Sequence, residues 1–218
     1  MKKFRFAILG AGHIARQFCD AVSRIDGCEV CAVASKSLAR AENFAKENGV
    51  ESYYDDYEML LEKERPDCAY IAVTTNDHYR LSVLCVNHSV PVLCEKAMFQ
   101  NSEEAKNLYT LASEKKIFVM EALWSRYLPA VQQAKRWVEQ EKIGMPTVLQ
   151  CNIGFVAPDD KENRYFNPKL GGGATKDITV YAYEITTFIL NQAIKKYIRV
   201  GNLERYRCRC YRPCCHLL

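Results

Sequence analysis

The chain has 218 residues, of which 49% are hydrophobic and 26% are charged. This length can supply one large domain or two small ones with a buried core, and the composition excludes collagen, low-complexity disorder and a coiled coil. Residues 195–218 hold seven bases and one acid, whereas residues 1–194 hold 23 bases and 25 acids. The apparent basicity therefore belongs to the C-terminal residues, and no nucleic-acid partner is expected.

No stretch approaches ~18 uninterrupted apolar residues, so neither a membrane-spanning helix nor a membrane partner is predicted. The first apolar run ends at Gly10 and is shorter than the apolar stretch of a signal peptide. We therefore expect a cytoplasmic protein. Seven of the 11 cysteines are scattered through residues 1–194, mostly in apolar runs where a reduced thiol acts as a small hydrophobe.

Up to residue 121, apolar segments that predict buried strands alternate with segments of helical spacing. The predicted strands are residues 5–9, 29–34, 68–73, 90–94 and 117–120. The predicted helices are residues 14–23, 37–48, 55–62, 78–87 and 102–115, with Ser37 as a cap and Gly49 as a stop. This alternation is typical of parallel strands joined by helices, so residues 1–121 predict an α/β fold with a doubly wound, Rossmann-type parallel sheet.

The pattern changes after residue 121. Residues 129–141 form an amphipathic helical pattern, residues 147–156 alternate like an antiparallel or mixed strand, and residues 159–169 are polar and loop-like. Gly171-Gly172-Gly173 then opens a helical pattern through Asp177 and Tyr181. We predict that residues 122–194 are an incomplete α+β second domain and that residues 195–218 are an aberrant tail rich in Cys and Arg.

A glycine-rich turn joins the first predicted strand to the first predicted helix. Gly10 allows a tight turn, and Gly12 lets the backbone approach a pyrophosphate, which would lie on the helix N-terminus beside His13 and Ile14. The strand before the turn and the helix after it are the context that this motif requires. The turn therefore predicts a dinucleotide site, with a plain glycine turn as the alternative.

The residues after the second predicted strand bear on the choice of cofactor. An acid at this position holds the ribose hydroxyls of NAD, but here Ser35, Lys36 and Arg40 follow the strand. These side chains suit a ribose phosphate, so NADP is favoured while NAD remains possible. The alternative is a solvated basic turn.

Glu95 and Lys96 follow the strand at residues 90–94. Ligands of open α/β sheets bind at the carboxyl ends of the strands, where a lysine can donate to a substrate oxygen or lower the pKa of a neighbouring acid. Taken alone, the two residues are better explained as an ordinary charged pair on the surface.

Five segments together resemble the Gfo/Idh/MocA oxidoreductases, the family of glucose–fructose oxidoreductase and inositol dehydrogenase. In chain order they are residues 10–15, 70–79, 92–96, 120–127, and the three glycines at 171–173 with Asp177. The resemblance covers residues 4 to about 192. Residues 121–127 are most similar to the dihydrodiol and sugar dehydrogenase branch, which is typically NADP-dependent.

The resemblance implies an enzyme that transfers a hydride between a nicotinamide and a small-molecule sugar, polyol or diol. No metal site is predicted. The resemblance implies Lys96, Asp177 and Tyr181 as catalytic residues. Asp177 and Tyr181 are four residues apart and would share one helix face, and the Lys96 ammonium would help a tyrosine of ordinary pKa ~10 to act as a base. Full-length relatives are expected to be homo-oligomers.

The resemblance also assigns binding roles. The cofactor-binding set adds the residues Thr74, Asn76, His78, Glu95 and Lys96, and the substrate-binding set comprises Trp124 and Arg126. For His78 the alternative is a helix cap or a packing residue, and for Trp124 it is a core aromatic.

Three positions depart from the family pattern: Ala97 replaces a proline, Thr179 replaces a glycine and Lys176 replaces an apolar residue. Two alternatives to an active enzyme therefore stay open, a catalytically inactive nucleotide-binding fragment and a regulatory protein that senses NADP.

The cysteines of the tail are spaced poorly for a zinc site. A shift of reading frame near residue 197 would truncate the chain, and it explains the composition of residues 195–218 better than a zinc site does.

Overall fold

The computed structural model describes residues 2–158, 160, 163–193, 197–200 and 214–217. The chain forms two compact units, Met1–Ala122 and Leu123–Leu218. Within the described ranges, every helix is too short or too polar to cross a bilayer.

The first unit is a parallel sheet with helical connections. Its strands are β1 (Phe4–Leu9), β2 (Cys28–Ala34), β3 (Ser52–Tyr54), β4 (Cys68–Ile71), β5 (Val92–Cys94) and β6 (Val119–Glu121). Its helices are α1 (His13–Ser23), α2 (Leu38–Asn48), α3 (Tyr57–Glu64), α4 (Thr75–Asn87) and α5 (Ser102–Lys115). All strand pairs are parallel, in the order β3-β2-β1-β4-β5-β6. The order reverses between β1 and β4, as in doubly wound dinucleotide-binding sheets, so the predicted fold class is confirmed.

The sheet is buried on both faces. Ile8 and Leu9 of β1 are both completely buried, Ile8 in one apolar cluster and Leu9 in the other. Neighbouring residues of a strand point to opposite faces, so helices cover the sheet on each side. This double burial explains the continuous apolar runs at residues 6–9, 30–34 and 68–71.

Two local features differ from the sequence predictions. The short strand β3 was not predicted, because it pairs only with β2 and its Tyr53 is exposed, so it has no apolar run. Ser37 precedes α2, but its side chain makes no capping hydrogen bond, whereas Gly49 ends the helix with φ 68° as predicted. In α3, Asp56 does cap the helix by accepting from the Met59 amide.

The second unit is mainly helical in its described part. It contains a 3₁₀ turn (Trp124–Tyr127), α6 (Pro129–Glu139), a second 3₁₀ turn (Pro168–Leu170), α7 (Ala174–Asp177), α8 (Thr179–Leu190), β7 (Tyr197–Val200) and β8 (Cys214–Leu217). Lys135 of α6 donates to the carbonyl of Phe188 in α8, and its ammonium lies 4.6 Å from the Phe188 ring centroid. Strands β7 and β8 pair antiparallel.

Two predictions for this unit are corrected. Residues 147–156 form no strand, because an extended segment needs a neighbouring backbone and none of β1–β8 pairs with it. The helix predicted through Asp177 and Tyr181 is interrupted at Ile178, which separates α7 from α8. Of the predicted aberrant tail, β7 and β8 are regular structure, and residues 195–196, 201–213 and 218 lie outside the described residues.

Candidate cofactor and active site

The turn between β1 and α1 contains two glycines with different structural requirements. Gly10 has φ +114°, and a Cβ there would lie 2.6 Å from the carbonyl oxygen of Ala72, so the backbone itself requires glycine. Gly12 has an ordinary φ of −107°, and the only atom near its notional Cβ is the same oxygen at 3.9 Å. The protein therefore leaves open space at Gly12.

The N-terminus of α1 has the properties of an anion site. Gly12 is its N-cap, so no side chain caps the first amides, and the first turn holds no acid. Uncapped amides and the positive end of the helix dipole both attract phosphate. His13 and Ile14, the other predicted cofactor contacts, open this helix and are exposed.

The residues after β2 present positive charge to solvent. Lys36 and Arg40 are exposed, whereas Ser35 is only 4% exposed and donates its amide to the carbonyl of Tyr54. Of the three residues predicted to meet a ribose phosphate, the two cations are therefore the accessible ones.

Lys36 is paired with Asp77, which lies 41 residues further along the chain. The Lys36 Nζ donates to Oδ2 of Asp77 at 2.6 Å, and the Arg80 Nε lies 3.4 Å from Oδ1. Burial opposes ionisation of Asp77, but the hydrogen bond and charge of Lys36, together with Arg80, outweigh it and lower the pKa of the carboxyl. Sequence reasoning missed Asp77, because only the fold brings α4 beside the end of β2.

The first turn of α4 carries three predicted cofactor contacts. Thr74 is the N-cap and its carbonyl accepts from the Asp77 amide, while Asn76 is exposed. The buried ring of His78 has Nδ1 3.0 Å from the Ala97 carbonyl oxygen and Nε2 3.1 Å from that of Val73. Burial lowers the pKa of His78, and a neutral imidazole donates only one proton, so one of these two contacts is a hydrogen bond at any moment.

The position of His78 supports the packing interpretation of this residue. It links the end of the segment after β4 to the loop after β5, and it is 1% exposed. A contact with the cofactor stays a prediction.

Two carboxylates hold the loop that carries Lys96. The Tyr70 hydroxyl donates to Glu95 Oε1 at 2.5 Å, and the Lys96 amide donates to Glu95 Oε2 at 3.3 Å. The Met98 amide donates to Glu121 Oε1 at 2.9 Å. The Lys96–Ala97 peptide bond is cis.

Tyr70 and Glu121 were not among the predicted site residues. A signal for Tyr70 was present, since a phenol inside a buried strand needs a hydrogen-bond partner. The half-buried Lys96 thus lies on a loop tied to β4, β6 and α4.

In the second unit, two predicted site residues are in contact. The indole of Trp124 donates to the phenolic oxygen of Tyr181 at 3.0 Å, and the rings meet edge to face with centroids 6.0 Å apart. Trp124 is 55% exposed, which contradicts the alternative of a core aromatic.

Asp177 lies at the end of α7, with Oδ1 3.7 Å from Nη1 of Arg164. Because Ile178 interrupts the helix, Asp177 and Tyr181 do not share the face of one continuous helix, and that expectation was wrong. Lys96 belongs to the first unit, whereas Asp177 and Tyr181 belong to the second. Their common role in catalysis stays a prediction.

Arg126 is anchored to a buried acid. Its Nε donates to Glu184 Oε1 at 2.8 Å, and the Ser125 hydroxyl donates to Glu184 Oε2 at 2.8 Å. Glu184 is 2% exposed, and the Arg126 guanidinium lies 5.4 Å from the ring centroid of Phe188. The signal for Glu184 was an acid inside the apolar helix α8, which needs a partner when buried.

Replacing this acid should destabilise the second unit. We expect Glu184→Ala to lower the free energy of unfolding by about 2 kcal/mol or more, because two donors lose their acceptor and one of them, Ser125, is buried. Both tryptophans of the chain, Trp124 and Trp137, lie in this unit, so urea unfolding followed by tryptophan fluorescence measures the effect.

The matched control is Glu139→Ala, which removes an exposed acid 3.2 Å from Lys135 in the same unit. Its effect should stay within about 0.5 kcal/mol. Equal losses from the two variants would contradict a structural role for Glu184.

Among the residues that the structure describes, no group of three or more His, Cys, Asp or Glu could hold a metal ion. Two of the four tail cysteines, Cys208 and Cys210, lie outside those residues. Buried thiols of the first unit are poor nucleophiles, since burial raises the pKa of Cys19 to about 11 and that of Cys68 to about 12.

The sheet order and the glycine turn together define a Rossmann dinucleotide-binding domain. The sequence model of the Gfo/Idh/MocA oxidoreductase family, NAD-binding Rossmann fold, matches residues 4–123, and that of the Gfo/Idh/MocA C-terminal domain matches residues 131–205. The chain belongs to the Gfo/Idh/MocA oxidoreductase family. The second match continues past Gln192, where the resemblance was expected to stop.

Curated relatives include trans-1,2-dihydrobenzene-1,2-diol dehydrogenases. The chain is 32% identical to that of Mus musculus over 203 residues, which is 92% of this chain and 60% of the relative. It is 30% identical to that of Danio rerio over 189 residues, which is 86% of this chain and 56% of the relative. The chain thus spans somewhat more than half the length of these proteins.

Solved structures share the fold at low identity. A probable dehydrogenase from Thermotoga maritima superposes with a TM-score of 0.82 at 22% identity, covering 90% of this chain and 58% of that one. A scyllo-inositol dehydrogenase from Lactobacillus casei with bound NAD(H) and scyllo-inositol gives 0.75 at 16% identity, covering 92% and 60%. A 3-ketoreductase variant from Actinomadura kijaniata in complex with TDP-benzene and NADP gives 0.77 at 22% identity, covering 90% and 60%.

Proposed function

We propose that the chain is part of an NADP-dependent dehydrogenase that transfers a hydride between the nicotinamide and a hydroxyl or carbonyl group of a diol, polyol or sugar. The observation that carries this proposal is the open position at Gly12 in front of the uncapped N-terminus of α1. Family membership and the similarity to diol dehydrogenases support the substrate class.

The choice of NADP over NAD rests on charge. Lys36 and Arg40 are exposed after β2, where a ribose phosphate would lie, and β2 is not followed by an acid of its own. The pairing of Lys36 with Asp77 is the observation that favours NAD as the second candidate. Structural neighbours have been solved with each cofactor.

The nicotinamide would supply the hydride chemistry, and the protein would orient the reactants and move the proton. In this proposal, Lys96 supplies a positive charge on the loop after β5, and Tyr181 moves the proton. The Trp124 indole holds the phenolic oxygen of Tyr181 by donating to it. Asp177 is the third catalytic residue of the proposal, and Trp124 and Arg126 contact the substrate. A cytoplasmic location is a further part of the proposal, and assembly into homo-oligomers is expected of the full-length relatives.

The test is a titration of the purified chain with NADPH and NADH, followed through the emission of the reduced nicotinamide. We expect both to bind, NADPH more tightly, and we expect turnover with at least one member of a panel of diols and inositols. Tighter binding of NADH would reverse the choice of cofactor. Binding without any turnover would instead support the catalytically inactive fragment, and no binding at all would overturn the site.

A further inference from the structure

The ion pair between Lys36 and Asp77 lies near the end of β2, where NADP would carry a ribose phosphate that NAD lacks. Lys36 is the second residue after β2, the place where Rossmann domains meet the adenosine ribose. Its ammonium lies 2.6 Å from the Asp77 carboxylate, and the Arg80 guanidinium lies on the other side of the same carboxylate at 3.4 Å. A single acid is thus shared by two cations near the expected ribose.

The acid is the fixed member of this group. The side chain of Asp77 is 15% exposed, whereas those of Lys36 and Arg80 are 69% and 56% exposed. Asp77 lies in the first turn of α4, where the helix dipole stabilises a negative charge, and its pKa is lowered by its cationic partners despite its burial. It is therefore ionised near neutral pH.

The Asp77 carboxylate should affect the binding of NADP and NAD differently. The additional phosphate of NADP carries between one and two negative charges near neutral pH, so it would compete with the Asp77 carboxylate for the Lys36 ammonium. The ribose hydroxyl of NAD is neutral and can donate a hydrogen bond to a carboxylate. In many Rossmann domains that acid follows β2 directly. Here α4 supplies an acid to the same region from elsewhere in the chain.

We propose that Asp77 is a specificity-determining residue. By pairing with Lys36 it weakens the binding of NADPH, and it thereby reduces the preference of the chain for NADPH over NADH. This inference rests on the proposed function, since it requires that the cofactor lies beside Lys36. It assigns a role to a residue outside the predicted cofactor-binding set.

Asp77→Asn tests the proposal, because it removes the charge while keeping the size of the side chain. We expect the Kd of NADPH to fall about fivefold, the size expected from one partly exposed charge, and that of NADH to change less than about twofold or to rise. The matched control is Asp20→Asn, which removes an exposed acid 2.9 Å from Arg24 at the far end of α1. The control should leave the ratio of the two constants unchanged.

A double-mutant cycle identifies the cation that is released. In a Lys36→Gln background, Asp77→Asn should improve NADPH binding less than twofold, because the competing partner is gone. Asp77→Ser, which keeps a polar group in the first turn of α4, should shift the ratio in the same direction as Asp77→Asn and serves if the amide variant folds poorly. Thermal unfolding of each variant shows whether it is folded.

The outcomes separate the two proposals. If the unmodified chain binds both cofactors and Asp77→Asn changes both constants equally, the role of Asp77 is wrong and the proposed function stands. A gain in NADPH affinity that persists without Lys36 would also overturn it. If the unmodified chain binds neither cofactor, the proposed function fails, and the role of Asp77 fails with it.

Discussion

Lys96→Met is expected to lower turnover at least about 100-fold, because the variant loses the ammonium that the proposed mechanism uses on the loop after β5. Methionine keeps the length and apolar stem of lysine, so the loop contacts made by Glu95 and Met98 should persist. The loss should appear in kcat to a greater extent than in the Kd of NADPH. Stopped-flow or steady-state measurement of nicotinamide absorbance, with whichever diol or inositol the chain turns over, checks this result.

The control for Lys96→Met is Lys106→Met, which removes an exposed lysine from α5 in the same unit. Its turnover should match that of the unmodified chain. If Lys96→Met kept turnover within a factor of about two, which is under ~0.5 kcal/mol of transition-state stabilisation, Lys96 would not be a catalytic residue. The loop after β5 would then serve only to bind the cofactor.

The sheet could be predicted from the sequence because its strands are buried on both faces. Residues 6–9 and 68–73 are uninterrupted apolar runs, and strands of this kind have little freedom to pair except in parallel under covering helices. Strand β3 lacked this signal, since it is a three-residue edge strand with an exposed Tyr53. In residues 147–156 the alternating pattern was present, but a strand also needs a paired neighbour, which the periodicity of one segment does not reveal.

The candidate site divides in the same way. The positions of Gly10, Gly12 and Lys96 in the fold could be predicted, because each lies next to a strand that the sequence already implied, while their site roles stay predictions. Asp77 lies 41 residues from Lys36, and Glu184 lies 59 residues from Ser125. Such contacts are made by elements that meet only after folding, so spacing along the chain gives no sign of them. They also change the roles of predicted residues, since Lys36 and Arg126 both have acidic partners.

Replacing Gly10 by alanine should lower the stability of the fold, whereas replacing Gly12 by alanine should weaken cofactor binding and leave the fold intact. Gly10→Ala is expected to lower the free energy of unfolding by about 2–4 kcal/mol, because alanine is strained at a φ of +114° and its methyl group would meet the Ala72 carbonyl oxygen at 2.6 Å. Chemical unfolding of the first unit, followed by circular dichroism, measures this loss.

Gly12→Ala should leave the fold within about 1 kcal/mol of the unmodified chain, because the φ of Gly12 is open to any residue and its notional Cβ meets no atom closer than 3.9 Å. The methyl group would instead fill the space through which a pyrophosphate reaches the amides of α1, so we expect NADPH and NADH to bind at least about tenfold more weakly. The two cofactors should be affected equally, since the pyrophosphate is common to both. A Gly12→Ala chain that binds NADPH with unchanged affinity would show that the dinucleotide does not lie on this turn.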